Sequence, residues 1–281
     1  SRTWWQYLPL LSPAHREHAR FLGLLAHRRT SRPAGLLQRL SLRWEVAVPR
    51  LPRVSTGRFV FHVLNRAVQG VTLFETAADY ELFVDLLGDA SRRLPIRILS
   101  FAIMPNHWHL VLWPLDDDSL SPFMKWLTGT HAMKWRATRG SQGRGAVYQS
   151  RFKAIAVQHD AHFLTLCRYV ERNPVRARLV ARAENWRWSS AAPATSSARW
   201  PAMSAWPVRK PKDWLDRLNV PESTRSLRGV RDAIRAGSHF GSASWRVKTA
   251  EALRWRNGLK RPGRPVDLYP RHESRVVPTI L

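Results

Sequence analysis

Short β-branched or aromatic runs alternate along this chain with stretches of helical period, and their order predicts a fold. Phe59-Val60-Phe61-His62-Val63-Leu64-Asn65 reads as a strand, closed by a loop at Gln69-Gly70. Tyr80, Leu82, Phe83, Leu86 and Leu87 recur at the spacing of one helix face. They predict a helix over 77–92, basic at its C-terminal end and stopped by Pro95. Two apolar runs, 96–104 and 108–113, are separated by a Pro105-Asn106 turn and predict a hairpin. A second helix is predicted over 121–138, with Ser119 or Ser121 as N-cap, followed by a flexible basic loop over 139–146 and a strand over 152–157. Asp160 caps a third helix over 161–172, and Pro174 follows it. The order strand, helix, strand, strand, helix, strand, helix fits an α+β fold. We expect a ferredoxin/RRM-like antiparallel sheet with helices packed on one face, plus a basic C-terminal extension.

Outside that pattern the signal weakens. Residues 1–51 form an arginine- and leucine-rich leader with helical stretches near 15–25 and 36–40. They read as a DNA-binding arm or as sequence from upstream of a natural start, and the second reading is preferred. After Ser189 the composition shifts to Ala, Ser, Pro and Trp, which puts a domain boundary near 190–210. The expected organisation is therefore a leader at 1–51, a central domain at 52–190 and an extension at 191–281. That extension carries a possible helical unit over 214–250 and a basic end over 254–264.

Charge narrows the partners. The 281 residues carry a net charge of +26, which opposes compaction and favours a polyanion. No run approaches the roughly 18 apolar residues of a spanning helix, and no basic amphipathic helix has a sustained apolar face, so nucleic acid is preferred over a membrane surface. Arginine far outnumbers lysine, and guanidinium forks suit phosphate oxygens and guanine edges. A GC-rich gene would give the same bias. The single cysteine, Cys167, excludes an internal disulfide framework and fits a reducing, cytoplasmic location associated with the nucleoid; it is expected to pack against the sheet.

Candidate chemistry centres on His107-Trp108-His109. On a strand, side chains alternate with period two, so the two imidazoles share one face at metal-ligand reach while Trp108 points into the core. The same spacing also arises by chance on solvated strands. Tyr169 and Asn173 stand four residues apart on the third predicted helix, hence on one face. A phenol beside a cation can act as a covalent nucleophile toward phosphorus, and an amide oxygen can complete a ligand set that leaves positions open for a phosphate oxygen. The plainer reading is a half-buried helix tyrosine and a helix-ending asparagine. Tyr148 is the rival nucleophile. His62 reads as structural or DNA-contacting rather than as a ligand. His159 and His162 read as surface residues, and His131 has no evident partner. Arg168, Arg172, Arg176 and Arg178 make the helix and its exit basic, a phosphate-binding face or a solvated one, and Glu171 could pair with one of them. Gln149, Arg151 and Lys153 are candidate DNA contacts on a strand edge. Arg261 and Arg264 lie in Arg-Pro-Gly-Arg-Pro, similar to an AT-hook core that enters a narrow minor groove.

The blocks together resemble a known family. His107-Trp108-His109, preceded by Met104-Pro105-Asn106, resembles the HUH motif (histidine, bulky hydrophobic, histidine) of single-tyrosine transposases. Phe61-His62-Val63-Leu64-Asn65-Arg66, Tyr148-Gln149-Ser150-Arg151-Phe152 and the run from Tyr169 to Ala177 are similar to blocks of the REP-associated tyrosine transposases, in the same order. The resemblance covers about residues 52 to 190, with a weaker echo from Gly237-Ser238 to Pro265. It implies a metal-dependent single-strand DNA endonuclease and strand transferase acting on hairpin-forming repeats through a 5′-phosphotyrosine link. By position, Tyr169 is the implied nucleophile and His107, His109 and Asn173 the implied ligands of Mg²⁺ or Mn²⁺; Asn65 and Arg66 join the implied DNA contacts. A monomer is favoured by the same resemblance, with a dimer as the alternative. A non-catalytic DNA-binding derivative, or an RNA-binding module with an RRM-like sheet, remain the rival readings.

Overall fold

The computed structural model describes residues 57–253, except 142, 144 and 194–199. The chain divides into two units, Ser1–Arg50 and Leu51–Leu281, and every described residue belongs to the second. The expected leader and the Arg261/Arg264 motif lie outside the described residues.

Four strands, β1 (Val60–Arg66), β2 (Ile96–Met104), β3 (His107–Pro114) and β4 (Lys153–Val157), form one antiparallel sheet in the order β2-β3-β1-β4. The β2–β3 hairpin turns at Pro105-Asn106, as expected, and brings Met104 opposite His107. The α+β class is as the sequence predicts. Two long helices, α1 (Ala77–Arg93) and α2 (Leu120–Thr138), cover one face. Their core is built around Phe83, Phe101, Trp108 and Phe123, each fully buried. A capping box starts α1: Thr76 accepts from the Asp79 amide, and Asp79 accepts from the Thr76 amide. Ser119 occupies the N-cap position of α2, but its hydroxyl donates to the Asp116 carbonyl and makes no cap bond to the helix.

The helical cover extends beyond the one face expected. Helix α3 (Ala161–Glu171), started by Asp160 accepting from the His162 amide, lies on the opposite face against Val60, Leu99, Ala102 and Val111. The reason is visible in the strands, which are apolar on both sides rather than alternating. A bulge between Ile98 and Ser100 puts Leu99 and Ser100 in succession into β2. Leu99 joins the α3 core, and Ser100 donates from its hydroxyl to Glu171, a buried residue of α3.

After α3 comes a single turn, α4 (Asn173–Arg176), then a 3₁₀ turn at Ala183–Asn185. The later chain folds back onto the domain as α5 (Trp214–Asn219), α6 (Thr224–Ala236) and α7 (Ala243–Ala252). Trp214, Leu218 and Val230 enter the α3 core, and Leu253 reaches the α1/α2 core. Glu171 does not pair with a neighbouring arginine. It accepts from Ser190 Oγ at 2.6 Å and from Trp214 Nε1 at 2.7 Å, tying α3 to the later chain. Cys167, on α3, is buried in the core between that helix and the sheet, as expected.

Candidate active site

The sheet places two of the implied functional side chains on its central strands. His109 faces Leu64 and His107 faces Arg66 across the β1–β3 ladder, and Trp108 turns to the α1/α2 core. The two imidazole centroids are 5.1 Å apart, and the Tyr169 ring of α3 lies 5.8 Å from His109. Both histidines and Tyr169 line one cleft of about 330 Å³, with Arg66, Gln149, Arg151, Lys153 and, from α6, Ile234 around them.

Each imidazole has one nitrogen held from behind. His107 Nδ1 is 2.7 Å from Asn106 Oδ1, so it donates there and Nε2 carries the ring's lone pair. His109 Nδ1 is 2.9 Å from Nε2 of His62, a buried histidine of β1 whose ring stacks on that of His109. Burial lowers all three rings below the usual imidazole range: His62 to about 3, His107 to about 4 with help from the charges of Arg66 and Arg176, and His109 well down. Neutral imidazoles with one nitrogen anchored are the state that binds a metal ion.

Asn173 is less straightforward. Its Nδ2 stands 3.4 Å from His107 Nε2, and its Oδ1 accepts from Arg176 Nη2 at 3.0 Å. A guanidinium can only donate, so the amide orientation is fixed by Arg176, and the oxygen expected to bind metal faces away from His107. Arg176 also donates to the Tyr169 carbonyl at 3.1 Å and lies 4.2 Å over the Tyr169 ring. Among the described residues no group of three or more His, Cys, Asp or Glu is placed to hold a metal ion. The donor set on this face is therefore two imidazoles plus an amide that must turn.

With this geometry stands a sequence finding: residues 57–173 match the model of the family described as transposase IS200 like. A solved structure described as the REP associates tyrosine transposase bound to a REP hairpin is similar at 17% identity and a TM-score of 0.42, covering 56% of this chain and 98% of that one. A search of curated proteins gave no match.

The remaining expected residues within the described residues fall into two groups. Arg66, Gln149, Arg151 and Lys153 are exposed on the cleft wall. Asn65 lines the same cleft but is buried, with Nδ2 donating to the Ser150 carbonyl and Oδ1 accepting from the Arg66 amide. Arg168, Arg172 and Arg176 are engaged inside the protein rather than presented as a phosphate face. Arg168 donates to the carbonyls of Arg217 and Val220, each at 2.8 Å. Arg172 and Arg176 both pair with Glu222, at 3.1 and 3.2 Å, and the Glu222 side chain is 3% exposed. Pro221-Glu222-Ser223 carries no sequence signal linking it to a helix 50 residues earlier. His62 as the outer partner of His109 was likewise missed as such, although its alternation with Phe61 and Val63 pointed to the sheet face of the site.

Tyr148, the rival nucleophile, lies across the sheet from the cleft. Its hydroxyl is 2.7 Å from His131 Nδ1 and accepts from Trp108 Nε1 at 3.3 Å, and burial pushes its phenol up. His131, expected to lack a partner, has one in Tyr148. His159 accepts from the Val60 amide, and His162 pairs with Asp160. Neither lines the cleft. No described helix is long and apolar enough to cross a membrane.

Proposed function

We propose that this protein is a metal-dependent single-strand DNA endonuclease and strand transferase acting on hairpin-forming repeat DNA, with Tyr169 as nucleophile. The observation that carries the reading is the convergence of Tyr169, His107 and His109 on one cleft, inside a domain of a transposase family. In the cleavage step the Tyr169 hydroxyl oxygen attacks a backbone phosphorus. The P–O3′ bond breaks, a proton passes through solvent from the phenol to the departing 3′ oxygen, and the DNA keeps a free 3′-OH. The 5′-phosphate stays on Tyr169 until a 3′-OH attacks it and restores the phenol.

The chain's own groups prepare that step. The Arg176 guanidinium packs 4.2 Å over the Tyr169 ring and fixes the side chain in the cleft. His107 and His109 would hold Mg²⁺ or Mn²⁺ through their Nε2 atoms, with Asn173 joining once its amide turns; two imidazoles suit Mn²⁺ better. When bound, such an ion supplies Lewis-acid stabilisation of charge on the scissile phosphate. Arg66, Gln149, Arg151 and Lys153 would bind the strand along the cleft.

The test is a covalent-adduct gel with labelled single-stranded hairpin DNA from the flanks of the gene, run with Mn²⁺ or chelator. We expect an adduct that survives denaturant, requires the ion and is absent in Tyr169→Phe, which retains binding. Undiminished cleavage by Tyr169→Phe would remove Tyr169 from the mechanism. Tight binding by the wild type with no adduct under any condition would instead favour a non-catalytic DNA-binding protein.

A further inference from the structure

The arginines of the tyrosine helix are not available to DNA. Arg168 is held by backbone carbonyls, and Arg172 and Arg176 share the one buried carboxylate of Glu222. The phosphate chain on that side of the cleft needs another source of charge, and α6 is placed to supply it.

The apolar face of α6 consists of Leu227, Val230, Ala233 and Ile234, packed into the α3 core. Successive residues turn about 100°, so Arg225 and Arg228 fall on the opposite side of the helix and Arg231 at the edge of the apolar face, towards the Ile234 side. All three are exposed, and among the described residues no carboxylate pairs with them, whereas Arg235 pairs with Asp232 at 3.0 Å. The row spans roughly 9 Å along the helix axis. It also leads into the cleft. Ile234 lines the cleft wall, and its carbonyl accepts from Lys153 Nζ at 3.2 Å. The charge of Arg231 is felt at Arg176, which lies over the Tyr169 ring. Gly237, at φ 61°, ends the helix beside this wall, and the chain then pairs with β4 through the Phe240 amide and the Ala156 carbonyl at 2.9 Å.

We propose that Arg225, Arg228 and Arg231 form a phosphate-binding track for single-stranded DNA, continuous with the cleft of Tyr169. It lies beyond residues 57–173, so the domain that holds the nucleophile and the surface that holds the strand come from different parts of the chain. The proposal rests on the DNA-processing reading above. Contacts of this kind are made to phosphates and are sequence-independent.

The experiment is fluorescence anisotropy with a labelled oligothymidylate over a series of salt concentrations. The full chain is compared with Arg225→Gln/Arg228→Gln/Arg231→Gln and with a control, Lys125→Gln/Lys134→Gln. The control lysines are exposed on α2, in the helical layer across the sheet. Each phosphate contact to a single strand contributes about 0.7 to the slope of log affinity against log salt, so the triple variant should lose about 2 from that slope. The control should lose nothing resolvable. Circular dichroism verifies that both variants keep their helix content. An unchanged slope in the triple variant, with wild-type binding intact, would overturn the track alone. Equal losses in both variants would also overturn it, because only net charge would then matter. No wild-type binding to this probe or to hairpin DNA would overturn the functional reading and the track together.

Discussion

Removing the Glu222 carboxylate should destabilise the domain by about 3 kcal/mol. Its side chain is 3% exposed, and its partners Arg172 and Arg176 are 11% and 15% exposed, so solvent screens the trio weakly. Three contacts, at 3.1, 3.2 and 3.3 Å, disappear in Glu222→Ala. The two arginines stand one helical turn apart and repel once the anion is gone. Breaking a buried ion pair from one side costs roughly 3–5 kcal/mol, because the remaining charge is left unpaired. Arg176 keeps the Tyr169 carbonyl and Asn173 Oδ1, which argues for the lower end of that range. Arg172 has less left: its Nε is buried without a hydrogen-bond partner among the described residues. With a urea m-value of about 2–3 kcal/mol/M, the unfolding midpoint should fall by roughly 1 M. Glu222→Gln, still able to accept from one guanidinium, should fall between. A loss below about 1 kcal/mol for Glu222→Ala, the range of exposed pairs, would refute the reasoning and mean that Glu222 does not fasten the tyrosine helix.

Three further outcomes are expected. His62→Phe should weaken Mn²⁺ binding to the DNA-free protein by tenfold or more, with His62→Gln closer to wild type, because His109 Nδ1 loses its hydrogen-bond partner at 2.9 Å; equal affinities by calorimetric titration would count against the two-imidazole site. His107→Ala and His109→Ala should each abolish ion-dependent adduct formation, and full activity in both would remove the metal site from the mechanism. Asp79 is pushed up by burial but drawn down to about 2 overall by the Arg139 hydrogen bonds and by the amides of Thr76 and Glu75, against an ordinary 3.8. A carboxyl lowered by folding contributes stability above its unfolded pKa and loses it as pH falls. Asp79→Asn should therefore flatten the stability profile between about pH 4 and 2 by about 1–2 kcal/mol, and an unchanged slope in urea titrations there would contradict it.

The strands, the hairpin turn and the helix boundaries were legible because each follows from local chemistry. The apolar run of β2, the Thr76–Asp79 box and the Asp160 cap all act within a few residues. His107, His109 and Tyr169 were legible as a group because period two and helical phase fix which side chains share a face. What stayed hidden depends on partners distant in sequence. Helical cover on both faces follows from the α3 core, in which residues as far apart as Val60 and Val230 meet. Arg172 and Arg176 read as a phosphate face because nothing local reveals Glu222. Glu171 read as an arginine partner, whereas Ser100, Ser190 and Trp214 surround it. Asn173 was legible as a neighbour of the site but not in its orientation, which Arg176 decides.

The Glu222 contact also orders events in time. A ribosome makes Tyr169, Arg172 and Arg176 before it makes their counter-ion, 50 residues downstream of Arg172. Until then the helix of Tyr169 emerges with two adjacent cations and no anion to orient them, and Arg176 has no fixed reason to lie over the Tyr169 ring. A nascent or prematurely terminated chain can thus carry every residue from 57 to 173 and still lack the anion that holds Arg176 in place. That order of synthesis sets the surroundings of Tyr169 only after Glu222 has been made.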